Sequence, residues 1–231
     1  APEVGHFSCS LPMFNKIYEL IDWSVRSNLA SILTDCPHRE KLGWLEVAHL
    51  MQYAMQYRYQ LNGLYSKVMG DIKDSQTPEG IVPSIAPEYV RFADGFENSP
   101  EWGSAFIIIP WYIYKWYGDK SLLSAYYPYM KRYLEYLSTR ADDYIVAYGL
   151  GDWFDLGPKH PGYSQLTSNG VTSTGMYYYN ATIMSQIAEL LGEEKDEERF
   201  TQLAACIRKA YNEKFYNTAT KQYDRNSQTA N

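Results

Sequence analysis

The stretch Asp35-Cys36-Pro37-His38-Arg39-Glu40-Lys41-Leu42-Gly43-Trp44-Leu45-Glu46 packs three carboxylates, an arginine and an indole into twelve residues. Pro37 fixes its own φ and pushes Cys36 out of the helical region. Gly43 then supplies a permissive point before an apolar run begins. The stretch therefore predicts a loop that delivers charged groups at the mouth of a helix. Two readings stand side by side. One is a structural knot, with Arg39 paired to Asp35 or Glu40 beneath Trp44. The other is a catalytic loop, because perturbed charged groups concentrate at functional sites.

Working outward, apolar residues before the loop fall at Phe14, Ile17, Tyr18, Ile21, Val25 and Leu29, a helical period that predicts a helix over Pro12–Ile32. After it, the period predicts a second long helix over Gly43–Met69. Residues 71–100 hold no period but carry four prolines and the aromatics Tyr89, Phe92 and Phe96. A loop of this length in a compact domain is functional or a linker, and its aromatics favour the former. A third helix is expected over Glu101–Tyr117, apolar on all sides and so buried, with a kink at Pro110. Others are expected over Ser121–Arg140, Ser173–Leu191 and Lys195–Phe215, with the start of another at Ser227–Asn231. No strand-like alternation appears. The expected fold is all-α: about six long helices in three hairpins, forming part of a solenoid or a closed α/α toroid. The long loops 33–42, 71–100 and 141–172 are expected on one face. An incomplete toroid leaves apolar helix faces uncovered, so self-association is a further expectation.

Composition narrows the partners. A net charge of −6 without a Lys/Arg stripe argues against nucleic acid. Cys9, Cys36 and Cys206 lie far apart, which fits neither a disulfide framework nor a zinc site. No apolar run is long enough to span a membrane. The 23 tyrosines and 6 tryptophans offer flat apolar faces with polar tips, which suit a hydroxylated ligand such as a sugar and equally suit a crowded helical core.

Three loops place a tryptophan beside an acid or a glycine: Asp35–Trp44, Glu101-Trp102-Gly103-Ser104 and Gly151-Asp152-Trp153. Gathered on one face they would make a pocket of carboxylates walled by indoles, the equipment of glycoside hydrolysis. Each also has a purely structural reading, with the indoles as hairpin anchors and Glu101 as an acid complementing a helix start. Trp23, Trp111 and Trp116 are expected in the core, and His49 as a core histidine on an inner helix face. Phosphate-binding loops, nucleophile elbows and metalloprotease motifs are absent. Cys36 beside His38 is a poor thiol–imidazole pair, because such partners rarely meet through local sequence.

The run from Asp35 to Trp44 resembles the signature of the bacterial α-L-rhamnosidases, glycoside hydrolase family 78. The resemblance extends to Phe7-Ser-Cys-Ser10 with Asn15, Trp102-Gly103, Tyr117-Gly-Asp119, Gly151-Asp-Trp153 and Ala188-Glu-Leu-Leu-Gly192, in order along the chain. It implies an (α/α)6 barrel that removes terminal α-L-rhamnose with inversion and needs no cofactor or catalytic metal. It implies Glu40 as general acid, Asp35 and Arg39 as holders of the sugar hydroxyls, and Trp44, Trp102 and Trp153 as pocket walls. Asp152 is a further candidate for binding a hydroxyl. The family often has an aspartate where this chain has Val47. Glu46, one residue earlier and about 100° around a helix, is the candidate to replace it. The family's general base is a glutamate further along the barrel, outside this chain. Residues 1–231 therefore read as the first half of a catalytic domain whose parent acts on rhamnose-containing glycans. The resemblance places that parent in the periplasm or outside the cell; the sequence itself does not reveal a compartment. The alternatives are a non-catalytic helical carbohydrate-binding or scaffold module, and another (α/α)6 glycosidase or lyase.

Overall fold

A computed structural model describes residues 1–231. Nine α-helices carry the architecture: α1 Pro12–Ser27, α2 Leu45–Leu50, α3 Gln52–Gln56, α4 Asn62–Ser75, α5 Pro100–Gly103, α6 Ala105–Tyr117, α7 Ser121–Thr139, α8 Asn169–Leu191 and α9 Glu194–Phe215. The one sheet is a hairpin of two-residue strands, β1 Tyr216–Asn217 and β2 Gln222–Tyr223, paired Tyr216 to Tyr223. No helix is long and apolar enough to cross a membrane.

The helices form two layers. α6 packs on α2, α4, α7 and α8, and α8 packs on α5, α6, α7 and α9. Phe106, Ile107, Ile108 and Ile109 are all buried, as expected of a helix that is apolar all round. α8 likewise buries residues around its circumference, from Val171 to Ala188. The outer layer is amphipathic: α7 buries Leu123, Met130, Leu134 and Leu137, while α9 buries little beyond Phe200 and Ile207. α6 and α8 end at Gly118 and Gly192, where the connections are short. The long connections sit at the opposite ends, so the functional loops gather on one face. An inner row of α2–α3, α6 and α8 backed by α4, α7 and α9 is the helical toroid arrangement. Each inner element contributes one tyrosine to a row of phenols: the Tyr53 ring is edge-on to Tyr112 at 4.6 Å, and the Tyr112 hydroxyl is hydrogen-bonded to that of Tyr179.

Several expectations need correction. The long helix over Gly43–Met69 is three helices, with breaks at Met51 and at 57–61. The second break is a tertiary effect, since Tyr59 forms an isolated bridge with Glu3 and Arg58 pairs with Asp22 at 2.7 Å. Asp22 also binds Arg26 at 2.8 Å and accepts the Tyr59 hydroxyl, which ties α1 to this corner. α1 stops at Ser27, because Thr34 turns back to bond the Asn28 carbonyl at 3.0 Å. The helix expected from Glu101 is divided at Ser104, whose hydroxyl donates to the Pro100 carbonyl at 2.6 Å. α6 continues through Pro110 to Tyr117. Residues 227–231 form turns instead of a helix start, with Asn231 bonded back to Asn226 and Ser227. Trp23 and Trp116, expected in the core, are 70% and 43% exposed. α1 buries only Asp22 and Val25, and Trp116 packs on the surface ring of Tyr57 at 5.0 Å.

Candidate active site

Three segments converge over the N-terminal ends of the inner helices. Gly43 and Leu45 pair with the long loop through Ala86 N–H to Gly43 O at 3.0 Å and Leu45 N–H to Ser84 O at 3.0 Å. Those bonds seat Trp44 against Phe92, stacked at 5.3 Å with 23° between planes. Phe96, from the same loop, meets Trp153 edge-on at 5.0 Å. The third segment is anchored by Ser99, whose hydroxyl accepts from Leu150 N–H at 2.9 Å. Gly149 sits there at φ +104°, and a Cβ would lie 2.6 Å from Ser99 Oγ and 2.9 Å from Pro100 Cδ. Gly149→Ala is therefore expected to cost about 1–3 kcal/mol, measured as a lower thermal unfolding midpoint, with the site disturbed alongside.

The open cavity between them has a volume of about 340 Å³ and is lined by Asp35, Arg39, Glu40, Trp44, Glu46, Val47, Phe96, Trp102, Leu150, Trp153 and Phe154. Seven of the sequence candidates thus share one cavity. Trp102 forms its back wall and is 3% exposed, while Trp44 and Trp153 stand at the sides. Glu46 and Val47 both face the space, so the carboxylate displaced by one residue still reaches it. Asp152 does not line the cavity. Its Oδ2 accepts from Thr229 at 2.6 Å and from Thr167 at 3.4 Å, which makes it a turn anchor between loops. A wider groove of about 780 Å³ lies at the far ends of α6 and α8, lined by Trp111, Tyr114, Lys115, Gln186 and Glu189 among others. It has a single carboxylate, so the two-acid chemistry belongs to the smaller cavity.

The electrostatics separate the acids. Glu40 is partly exposed at the mouth, 3.8 Å from the Arg39 guanidinium. Oxygens of Asp35 and Glu40 lie within 4.8 Å of one another and of the Cys36 thiol. Two carboxylates and a thiol could ligate a cation, but the same Arg39 guanidinium stands 3.8 Å from Cys36 Sγ and already supplies positive charge there. Desolvation, and then Asp35, push the Cys36 thiol up, which disfavours a thiolate nucleophile. Burial pushes Glu46 above the ordinary carboxylate range, with Glu101 and then Asp35 adding to the effect. His49 Nε2 lies 3.2 Å from the Glu101 carbonyl, an acceptor, so this nitrogen carries a proton. Burial lowers the His49 pKa and keeps the ring neutral, which fits its expected place on the inner face.

Glu101 is the residue the sequence undersold. Its carboxylate is enclosed, with Oε2 accepting from Ser99 Oγ at 2.7 Å and Oε1 lying 3.1 Å from Ser173 Oγ. Burial raises its pKa while these hydroxyls pull the other way. In the sequence it is one acid between a proline and a tryptophan at a helix start, and nothing local marks Ser173, 72 positions on, as its partner.

An inner row of helices backed by an outer one, with carboxylates and indoles clustered over the inner ends, defines a glycosidase domain of the α/α toroid class. A family model described as the bacterial alpha-L-rhamnosidase 6 hairpin glycosidase domain matches residues 2–231. The chain belongs to this family, within glycoside hydrolase family 78. It is 31% identical over 99% of its length to an alpha-L-rhamnosidase of Formosa agariphila, and 30% identical over 91% to one of Streptomyces avermitilis. It spans 25% and 20% of those relatives' lengths. Among solved structures, the alpha-L-rhamnosidase from Dictyoglumus thermophilum superposes with a TM-score of 0.85 at 37% identity, covering 94% of this chain and 24% of that one. The Streptomyces avermitilis enzyme complexed with L-rhamnose superposes at 0.81 with 29% identity, covering 94% and 20%.

Proposed function

We propose that the full-length protein hydrolyses terminal α-L-rhamnose from glycosides or polysaccharides with inversion, and that residues 1–231 are the first half of its (α/α)6 catalytic domain. One observation carries the reading: Asp35, Arg39 and Glu40 open into the same cavity as Trp44, Trp102 and Trp153. Glu40 protonates the glycosidic oxygen as the bond breaks. Asp35 and Arg39 hold ring hydroxyls, and the indoles receive the apolar faces of the sugar. Family membership and the names of the relatives support the substrate class. The general base comes from the remainder of the protein. Inversion needs carboxyl groups about 6.5–9.5 Å apart with a water between them, and the Asp35–Glu40 pair, within 4.8 Å on one loop, leaves no such room.

That same separation favours one second reading, because retaining enzymes place their carboxyl groups about 5–5.5 Å apart; Asp35 would then be the nucleophile. Proton NMR of the first-formed sugar distinguishes the two. The full-length protein is expected to release β-L-rhamnose first from an aryl α-L-rhamnoside. First-formed α-L-rhamnose would replace inversion by retention. In a panel of aryl glycosides the rhamnoside is expected to be cleaved fastest. A faster reaction with another sugar would overturn the substrate assignment, and no cleavage of any would favour a binding module.

A further inference from the structure

We propose that Phe154 is a specificity-determining residue of this site: its ring is the platform on which the leaving group lies, and it selects glycosides whose leaving group presents a flat apolar ring. The inference deepens the rhamnosidase reading and rests on it for the sugar and for the role of Glu40. The geometry of one loop carries the rest. The lining of the cavity divides by segment. Its charged side chains, Asp35, Arg39, Glu40 and Glu46, all come from one stretch, whereas the segments beyond residue 90 contribute Phe96, Trp102, Leu150, Trp153 and Phe154. Burial grades these from back to mouth. Trp102 is 3% exposed, Phe96 and Trp153 are half-buried, and Phe154 is 56% exposed. A sugar held among the inner groups turns its glycosidic oxygen toward the mouth, where Glu40 is partly exposed. The leaving group then emerges past Phe154.

The backbone holds this ring in place against its own preference. Phe154 sits at φ +69°, in the left-handed region, where a bulky side chain is an outlier. Eight other non-glycine residues share positive φ, and Phe154 alone of the nine has no polar side-chain atom. Its N–H donates to the Gly162 carbonyl at 2.7 Å, a bond that a glycine at this position would make equally well. Burial does not offset the strain, because most of the ring is in solvent. The ring is nonetheless fixed. It leans on Trp153 at 5.7 Å with 63° between planes, and Trp153 is braced edge-on by Phe96 at 5.0 Å and Tyr163 at 5.9 Å. The Asp155 carboxylate fastens the loop, accepting from Gln165 N–H at 2.9 Å and Leu166 N–H at 2.7 Å. Strain at an exposed, cavity-lining aromatic is repaid when a ligand covers it. Phe154 and Leu150 bring no hydrogen-bonding side-chain atom, so this side recognises a leaving group by its flat apolar face. An aromatic ring offers such a face, and so does the C–H side of a pyranose.

The test uses the full-length protein and compares kcat/KM for phenyl α-L-rhamnoside, a rhamnosyl-glucose disaccharide and methyl α-L-rhamnoside. Phe154→Gly removes the ring and releases the backbone, while Phe154→Ala removes the ring and keeps a Cβ. Both are expected to lower kcat/KM roughly five- to tenfold on a ring-bearing substrate, the worth of one aromatic contact, and to change the methyl glycoside by less than about twofold. A loss confined to the phenyl rhamnoside identifies an aromatic leaving group, and one confined to the disaccharide identifies a sugar. Phe154→Tyr, which keeps the ring, should keep the wild-type ratios. The thermal midpoint of Phe154→Gly is expected to be no lower than that of wild type, since the position favours glycine. A residue kept only for folding would instead lose stability and slow all three substrates alike. Unchanged ratios in both ring-deleting variants, or equal losses on all three substrates, overturn the proposal. Calorimetry with each change placed in Glu40→Gln protein reads the same ratios as affinities, without turnover. If wild type cleaves no rhamnoside, the hydrolase reading fails while the affinity ratios still decide this one. If another sugar is the substrate, the rhamnosidase reading fails and the same three leaving groups on that sugar decide it.

Discussion

Replacing Glu40 by glutamine in the full-length protein is expected to lower kcat on a rhamnoside with a poor leaving group by about 10²–10⁴-fold, the usual worth of a positioned general acid. The loss should shrink for a nitrophenyl rhamnoside, whose departing oxygen needs little protonation. Glutamine keeps the shape of the side chain, so KM should move little. Stability should hardly change, since Glu40 is partly exposed and its ion pair with Arg39 is long at 3.8 Å, an arrangement of small energetic worth. The graded response to leaving group separates an acid from a residue that merely holds the pocket open, whose loss would slow every substrate alike. Equal rates for variant and wild type on the poor leaving group would remove Glu40 from this role.

The second large effect is the behaviour of residues 1–231 produced alone. The expected result is no turnover of aryl rhamnosides above a Glu40→Gln blank. The acids facing the cavity are Asp35, Glu40 and Glu46, and Asp35 and Glu40 reach it from a single loop. Asp35 and Glu40, with oxygens within 4.8 Å, stand too close for the water that inversion needs between them. Orientation would suffer too, because fewer walls hold the ring in a reactive geometry. The same preparation is expected to self-associate in analytical ultracentrifugation. Leu11, Met13, Phe14, Ile17, Leu20, Ile21 and Trp23 are all exposed on or beside α1, and contiguous exposed apolar surface favours association. Robust hydrolysis by this chain would place both catalytic carboxylates within it, with Asp35 and Glu46 the first to mutate. A monodisperse monomer would show that α1 tolerates water on this face.

The sequence announced the helical hairpins and the loop that arms them, because both are written locally: a 3.6-residue period and a dense run of charge, proline and glycine. The three indole loops could be listed before folding, and the fold brings Trp44, Trp102 and Trp153 to one cavity. What escaped was set by distant residues. The period runs unbroken from Gly43 to Met69, and the break at 57–61 exists because Arg58 and Tyr59 are held by Asp22 and Glu3. Asp152 carries the same local features as the true lining residues, yet Thr229 claims it from 77 positions away. Glu101 gave no sign of its enclosure because one of its partners, Ser173, lies 72 positions away on another helix.

The phenol row of Tyr53, Tyr112 and Tyr179 bears on how this sequence can drift. The middle residue serves its neighbours in two ways, so a lineage that turned Tyr112 into phenylalanine would keep the ring against Tyr53 but leave the Tyr179 hydroxyl without its partner. An end member is freer, and Tyr53, 47% exposed, has water as a substitute. Substitutions at these three positions are therefore epistatic. A change at the solvent-facing Tyr53 is expected to be accepted more readily than one at Tyr112, which ties two inner helices together.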